Sequence, residues 1–396
     1  MKFNYIKSQL NTFYKFFIEP PKCWKLPEKS EILIYDNCGA AFFAQYLFGY
    51  SVETLYLRRE KINVPCLLRA VFSVSFWSGQ PIKAYSDAFI KFVSPKVIIA
   101  FMESLYFYTI SSRFPAVKTV FFQHGIRSEI GGVFGYFDEK NNDHVDYMLV
   151  HGDAIGRHYQ QFISGKFIPI GSLKNNQVDK SGGCISGSVL FISQFEKKPD
   201  NESSLLINHD GTEIQWDQFY EAEKRVLRFL KKWCIANDKI LKICLRQSGD
   251  DLVNEKEFYT EYLDGCRLEF CQKSTDFSSY KLVDEAEIVV FVDSTLGYES
   301  LARGNKTACF SCRGITLHSK SCNFGWPAEF SDNGFFWTNS ADEKEFKRVM
   351  DSLNTVTDTE WTQIINSHAD GLMKYDPGNT KFIALLAELL PKSAHT

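Results

Sequence analysis

Short apolar runs alternate along this chain with longer segments of mixed character. In the first half the runs fall at 31–36, 52–57, 96–103, 119–123, 147–150 and 167–170, and each predicts a strand. Between several of them, at 39–50, 82–92 and 153–163, apolar residues recur at helical spacing. Strand and helix in alternation predict a parallel sheet covered on both faces. The pattern breaks at 175–188, where a polar stretch containing Lys180-Ser181-Gly182-Gly183 has no periodicity and reads as a linker. It then restarts, with strands expected at 189–194, 240–246, 266–271, 287–293 and 307–311, an amphipathic helix at 216–233, and closing helices at 342–353 and 380–390. The expected fold class is therefore α/β, with two similar domains. Ligands of open parallel sheets sit at the carboxyl ends of the strands, so the natural site is the cleft between the two.

Composition narrows the picture. A chain of 396 residues exceeds what one core usually serves, and 44% hydrophobic against 23% charged residues lets both halves fold. The net charge of -3 gives no electrostatic case for wholesale nucleic-acid binding. Aromatic content is 15%, which suits strand cores and stacking pockets alike. Eleven cysteines lack the spacing of a disulfide framework, and residues 1–17 are broken by Lys2, Lys7 and Lys15, unlike a signal peptide. A reducing, cytoplasmic compartment is expected. Cys309 and Cys312 form a CxxC on an expected buried strand and read as core thiols. No apolar run is long enough to span a bilayer. Residues 1–17 do interleave their lysines with Phe3, Tyr5, Ile6, Leu10, Phe13, Tyr14, Phe16 and Phe17. That pattern fits a first helix packed on its own domain, or a basic amphipathic helix on the cytoplasmic face of an anionic membrane.

Chemistry-bearing residues gather at the expected strand ends. The run 288–292 leads into Asp293-Ser294-Thr295 and then a helix. The first N–H groups of a helix lack partners and carry partial positive charge, so this turn suits a phosphate. Asp36 and Asn37 end the first strand, and Glu103 and Ser104 end the third. Gln123-His124-Gly125-Ile126-Arg127-Ser128-Glu129 follows the fourth, and Arg246-Gln247-Ser248-Gly249 follows a strand of the second half. Carboxylates, a histidine, two arginines and a phosphate-ready helix start are what sugar-nucleotide chemistry needs. Each residue alone also fits a cap or turn role. Gly125 lets the His124 loop turn tightly and approach a ligand, and Gly131-Gly132 lends the loop freedom, so substrate contact is expected there. His151-Gly152-Asp153 repeats the strand–His–Gly theme, with Asp153 in a capping role.

The motifs resemble those of bacterial surface carbohydrate biosynthesis proteins with the two-Rossmann-domain glycosyltransferase architecture called GT-B. The resemblance rests on 95–103, 122–127, 168–172, 190–195, 293–299, 324–327 and 375–379. A more distant likeness is to retaining β-Kdo transferases and other enzymes that use CMP-activated ulosonic acids. It implies an N-terminal acceptor and catalytic domain (1–178), a C-terminal nucleotide-sugar domain (186–375), and a C-terminal helix (376–396) able to cross back to the first. It further implies transfer of a Kdo-like sugar from a CMP donor to an oligosaccharide or lipid-linked glycan of a surface polysaccharide, with retention and without metal or cofactor. The nucleophile would be Glu103, where the related pattern has Asp, with Asp36 as the alternative. His124 would move a proton or hold the donor. Gln123, Arg127, Ser193, Gln194, Arg246, Ser294, Thr295, Gly297 and Glu299 would bind the donor. The ulosonate carboxylate and the phosphate need two cations, for which Arg127 and Arg246 stand available, and Glu299 would take the ribose hydroxyls. Two other readings stay open: an inverting transferase for a UDP- or CDP-linked donor, and a non-catalytic subunit that binds glycan or nucleotide.

Overall fold

The computed structural model describes residues 17–58, 60–137, 143–199, 205–208 and 210–391. The reading of the N-terminal segment lies outside them, except for Phe17. The first half forms a six-stranded sheet from β1 (Ile32–Tyr35), β2 (Val52–Leu55), β3 (Val97–Ala100), β4 (Lys118–Phe122), β5 (His144–Val150) and β6 (Ser164–Pro169). Its order is β2-β1-β3-β4-β5-β6. The second half forms another from β7 (Ile185–Ile192), β8 (Ile240–Cys244), β9 (Leu268–Cys271), β10 (Ala286–Phe291), β11 (Thr307–Phe310) and β12 (Trp337–Thr338), in the order β9-β8-β7-β10-β11-β12. All pairings in both sheets are parallel, with Ile34 opposite Ile99 and Val290 opposite Phe191. These are two Rossmann-like sheets in the GT-B manner. The order reverses between β1 and β3 in the first and between β7 and β10 in the second, and ligands of such sheets lie outside those reversals.

Helices cover the sheets because parallel strands must be buried on both faces. In the first half these include α1 (Val64–Val71), α2 (Pro81–Val93) and α3 (Asp153–Tyr159). In the second they are α4 (Trp216–Ala236), α5 (Asp251–Leu263), α6 (Ser278–Glu285), α7 (Thr295–Ala302), α8 (Glu343–Thr355) and α9 (Asp358–Leu372). α10 (Thr380–Leu389) returns to the first sheet, where the Phe382 ring lies 4.7 Å from Phe122 and 6.2 Å from Phe43. None of the helices among the described residues is long and apolar enough to cross a membrane.

Two expectations change. The helix expected at 39–50 shrinks to one turn, Ala40–Phe43, entered from Gly39 at positive φ and followed by turns that lead to Gly49, also at positive φ. The 175–188 stretch is ordered. Asn175 and Asn176 are buried, Asn176 donates to the carbonyl of Ile170 (2.8 Å), and Arg303 donates to the carbonyls of Val178 and Asp179. The polarity of its first residues serves groups inside the fold, 182–186 are exposed, and its end already belongs to β7. Cys309 and Cys312 are buried free thiols, with burial as the main cause raising their pKa.

Candidate functional site

The loop after β4 joins the two sheets. Gln123 is buried and braces the loop from inside: its amide donates to the carbonyl of Gly125 (3.1 Å) and its oxygen accepts the N–H of His151 (2.9 Å). This assigns Gln123 to the loop's framework, and not to direct donor contact. Gly125 has φ of 75°, which turns the chain toward the second sheet. There the N–H of Ile126 donates to Thr295 Oγ1 (2.9 Å), that of Glu129 to Ser321 Oγ (3.1 Å) and that of Gly131 to Asn208 Oδ1 (3.0 Å).

Arg127 sits in the middle of this loop, and its Nε lies 2.8 Å from Glu103 Oε2. The other oxygen of Glu103 accepts from the hydroxyls of Tyr108 and Tyr159, each at 3.0 Å. Burial, followed by the charge of Glu103, raises both phenol pKa values well above normal, so both remain donors. The Glu103 side chain is 8% exposed. Both its oxygens are engaged, so the expected nucleophile stands here as a carboxylate held against Arg127. The alternative, Asp36, is also occupied. One oxygen accepts the N–H of Cys38 (2.9 Å) and the other pairs with Arg58 (2.8 Å), in a residue at φ of 83°. Its role is to shape the turn after β1.

His124 lies half-buried beside Phe101, with ring centroids 4.7 Å apart. Burial, then the charges of Arg127, Lys174 and Arg58, push its pKa down to about 4. At neutral pH it is an uncharged imidazole, and the same burial and neighbouring cations that keep it uncharged make it a weak base as it stands.

On the second sheet, β10 runs through Val292 and Asp293 into α7. Ser294 occupies the N-cap position, but its side chain makes no cap hydrogen bond, and Thr295 Oγ1 is taken by the Ile126 amide. The loop thus occupies the Thr295 hydroxyl, while Ser294, Thr295 and Leu296 at the helix start stay partly exposed. Gly297 serves close packing: a Cβ there would stand 2.1 Å from the Phe291 ring, so only glycine lets α7 lie against β10. Glu299 is buried and accepts from the Tyr280 hydroxyl (3.1 Å), and burial raises its pKa. It is enclosed between α6 and α7, so the ribose role fails for want of access. Ser193 donates to Glu255 and accepts from Tyr259 (2.8 Å) within the core, which removes it from donor contact. Arg246 is 45% exposed and pairs with Glu196 at 2.8 Å, while Nη1 donates to the carbonyl of Gln194. It belongs to the rim.

The cation that sequence reasoning passed over is Arg313. It follows β11, a strand-end position like the others, and that was the signal available. Its guanidinium is 1% exposed. It pairs with Asp293, lies 3.7 Å from Glu223, donates to Gln194 Oε1 (3.3 Å), and stacks 3.8 Å over the Phe219 ring. Glu223 is deeply buried and its pKa is pushed up to about 7 by burial, against the opposing pull of Arg313 and the Tyr259 hydrogen bond. Arg127 and Ser128 from the first half, with Gln194, Asp293, Arg313 and Ser321 from the second, line one cavity of about 210 Å³. Both guanidinium groups are already paired, Arg127 with Glu103 and Arg313 with Asp293, so an anionic ligand here competes with a carboxylate for them. The volume falls below the roughly 300 Å³ at which drug-sized sites begin, so a whole nucleotide sugar requires the loop to lift from Thr295.

Comparison with known proteins agrees with this architecture. Residues 120–390 match the model of a family described as "putative O-antigen biosynthesis protein". No curated protein matches the chain. Among solved structures, one titled "putative UDP-N-acetylglucosamine 2-epimerase" from Listeria monocytogenes superposes with a TM-score of 0.54 at 8% identity, covering 92% of this chain and 98% of that one. A glycosyltransferase from Rickettsia africae ESF-5 gives a TM-score of 0.51 at 10% identity, covering 92% of this chain and 100% of the other. At such identities the likeness establishes the shared fold.

Proposed function

The chain belongs to this family of O-antigen biosynthesis proteins, and we propose that it is a glycosyltransferase that takes a nucleotide-sugar donor between its two sheets. The observation that carries this reading is the pair Arg127 and Arg313, contributed by opposite sheets to one cavity and each held in place by a carboxylate. Such a pair can hold the leaving phosphate once the ligand displaces a carboxylate, and Arg127, 20% exposed against 1% for Arg313, is the more accessible of the two. His124, uncharged at neutral pH, takes the acceptor's hydroxyl proton in this reading, an anionic donor offsetting the Arg127, Lys174 and Arg58 charges that lower its basicity.

With Glu103 and Asp36 both engaged, direct displacement with inversion is favoured over a covalent glycosyl-enzyme. A retaining route through Glu103 first requires Arg127 to let go. The two donor classes each bring two anionic groups: phosphate and sugar carboxylate in a CMP-ulosonate, or two phosphates in a UDP-sugar. The motif resemblance puts the CMP-ulosonate first for testing, with an oligosaccharide or lipid-linked glycan as acceptor.

The test has two stages. The melting temperature is measured with CMP, UDP, CDP and GDP, since a ligand at a hundredfold its Kd stabilises by about 2.7 kcal/mol. One nucleotide should raise it in the wild type and fail to do so in Arg313→Lys. The product from the matching sugar donor is then examined by NMR for its anomeric configuration, with inversion expected. Absence of any nucleotide response would overturn the transferase reading, and retention would restore a carboxylate nucleophile.

A further inference from the structure

The segment 61–86, which runs from beyond β2 into the first turns of α2, carries Lys61, Arg69 and Lys83, with its nearest carboxylates, Glu60 and Asp87, just outside it. Helix α1 and the turn after it hold four large apolar side chains in solvent: Leu68 is 56% exposed, Phe72 87%, Val74 85% and Trp77 75%. They are not an overflow of the core. The same segment sends Cys66, Ala70 and Phe76 inward, and Phe76 packs 5.9 Å from the ring of Phe17. The outward set is a second apolar surface on a segment whose inner one is already used. Contiguous exposed apolar groups of this kind mark interaction sites.

The polar groups of the turn are closed on themselves. Trp77 Nε1 donates to the carbonyl of Val71 (2.8 Å), Ser73 Oγ to that of Ala70 (2.7 Å), and Ser78 Oγ to that of Ser75 (3.2 Å). Taking water away from this tip leaves these donors satisfied, which removes the usual penalty of burying them. The topology also places the tip. α2 runs back antiparallel to the strands it connects, so the turn before it lies at the carboxyl end of the sheet, along its β2 edge. Asp36, Glu103 and His124 occupy that same end.

We propose that the turn spanning residues 68–77 docks on a membrane with anionic headgroups, a partner that rests on the reading of this cleft as the site of a lipid-linked acceptor. Charge decides between occupants. Arg69 is exposed within the apolar set, and the carboxylates flanking the segment are engaged elsewhere, Glu60 by the amide of Arg58 and Asp87 by Arg113. A second copy of the chain would bring like charges together, whereas an anionic bilayer supplies the complement. Apolar insertion and electrostatic attraction then add, with an interfacial tryptophan at the boundary. Residues 1–16 add Lys2, Lys7 and Lys15 and join the fold at Phe17, beside Phe76.

The test is co-sedimentation of the full chain with vesicles of phosphatidylcholine alone and of phosphatidylcholine mixed with phosphatidylglycerol. The wild type should bind the mixed vesicles, release them in high salt, and ignore the neutral ones. The triple variant Phe72→Ser, Val74→Ser, Trp77→Ser should bind the mixed vesicles at least about tenfold less. Its melting temperature and its response to nucleotide should stay unchanged, so a failure of the donor reading shows separately. Should the triple variant fold poorly, Arg69→Glu serves instead, with a several-fold loss expected on mixed vesicles only. Equal binding by variant and wild type, no binding by the wild type, or a wild-type dimer that the variant turns into a monomer each overturns the proposal.

Discussion

The two sheets present their guanidinium groups in opposite ways. In the second, Arg313 is part of the core: it stacks on Phe219, is flanked by Asp293 and Glu223, and shows almost no surface. In the first, Arg127 rides on a loop that leaves its sheet at Gly125 and fastens to the other half through three hydrogen bonds. Its side chain is 20% exposed, and its anchor Glu103 is held independently by two tyrosines. One cation is fixed before any ligand arrives, and the other sits on the element that must move to admit one. A fixed cation contributes preorganised stabilisation of a leaving group. A mobile one ties closure of the site to occupancy.

The comparison breaks most sharply at Arg313. Arg313→Ala leaves Glu223 buried and Asp293 partly buried without their cation, and should cost about 3–5 kcal/mol of stability by urea unfolding. Arg127→Ala should cost less, about 1–3 kcal/mol, since the tyrosines still satisfy one oxygen of Glu103. Equal losses would mean that the two sites are not built differently. Gly297→Ala forces α7 away from Phe291 and should destabilise by roughly 1–3 kcal/mol through overpacking, with the nucleotide response falling because α7 carries Thr295.

Acid and base act on the two halves with opposite sign. Glu223 titrates higher in the fold than the ordinary 4.5, at about 7. The stability it lends is full below 4.5 and is lost as pH rises through 7. His124 and His151 are depressed from 6.5 to about 4 and about 3, chiefly by burial. Their stability is present above 6.5 and is lost as pH falls through those values. Glu223→Gln should therefore flatten the decline in melting temperature between pH 4.5 and 7, and His124→Asn should flatten the decline on the acid side. A Glu223→Gln profile parallel to the wild type would refute this assignment.

The smallest expected effect sharpens the idea of a mobile loop. Thr295→Val removes the oxygen that accepts from Ile126 and should cost about 1 kcal/mol. The useful reading is local: hydrogen exchange at the Ile126 amide should quicken while the β4 amides keep their protection. Unchanged exchange at Ile126 would show that Glu129 and Gly131 alone hold the loop.

The strands were largely legible, because a parallel strand buried on both faces must be a continuous apolar run. β1 and β3, four buried residues each, illustrate this. α1 was not foreseen. Its Asn63 N-cap and Pro65 are local signals, but the outward Leu68 and the apolar residues after it blur the helical stripe. The linker reading holds in place, since 175–188 joins the two sheets, but its first part is packed, because Asn175 and Asn176, polar by type, are used to satisfy groups inside the fold. At the site, residue type and strand-end position were readable for Glu103, His124, Arg127 and Asp293, whereas Gly297, Ser193 and Glu299 turned out to serve packing and buried hydrogen bonds.

The amino-acid order alone determined two alternating strand–helix series and the concentration of reactive side chains where strands end, since both follow from local hydrophobic period and turn chemistry. Only the tertiary structure decided which charges meet. Glu103 meets Arg127, Asp36 meets Arg58, and Arg313 sits between Asp293 and Glu223. Partners of that kind are chosen by the order of strands in a sheet and by how one sheet faces the other, and neither distance is written in the spacing along the chain.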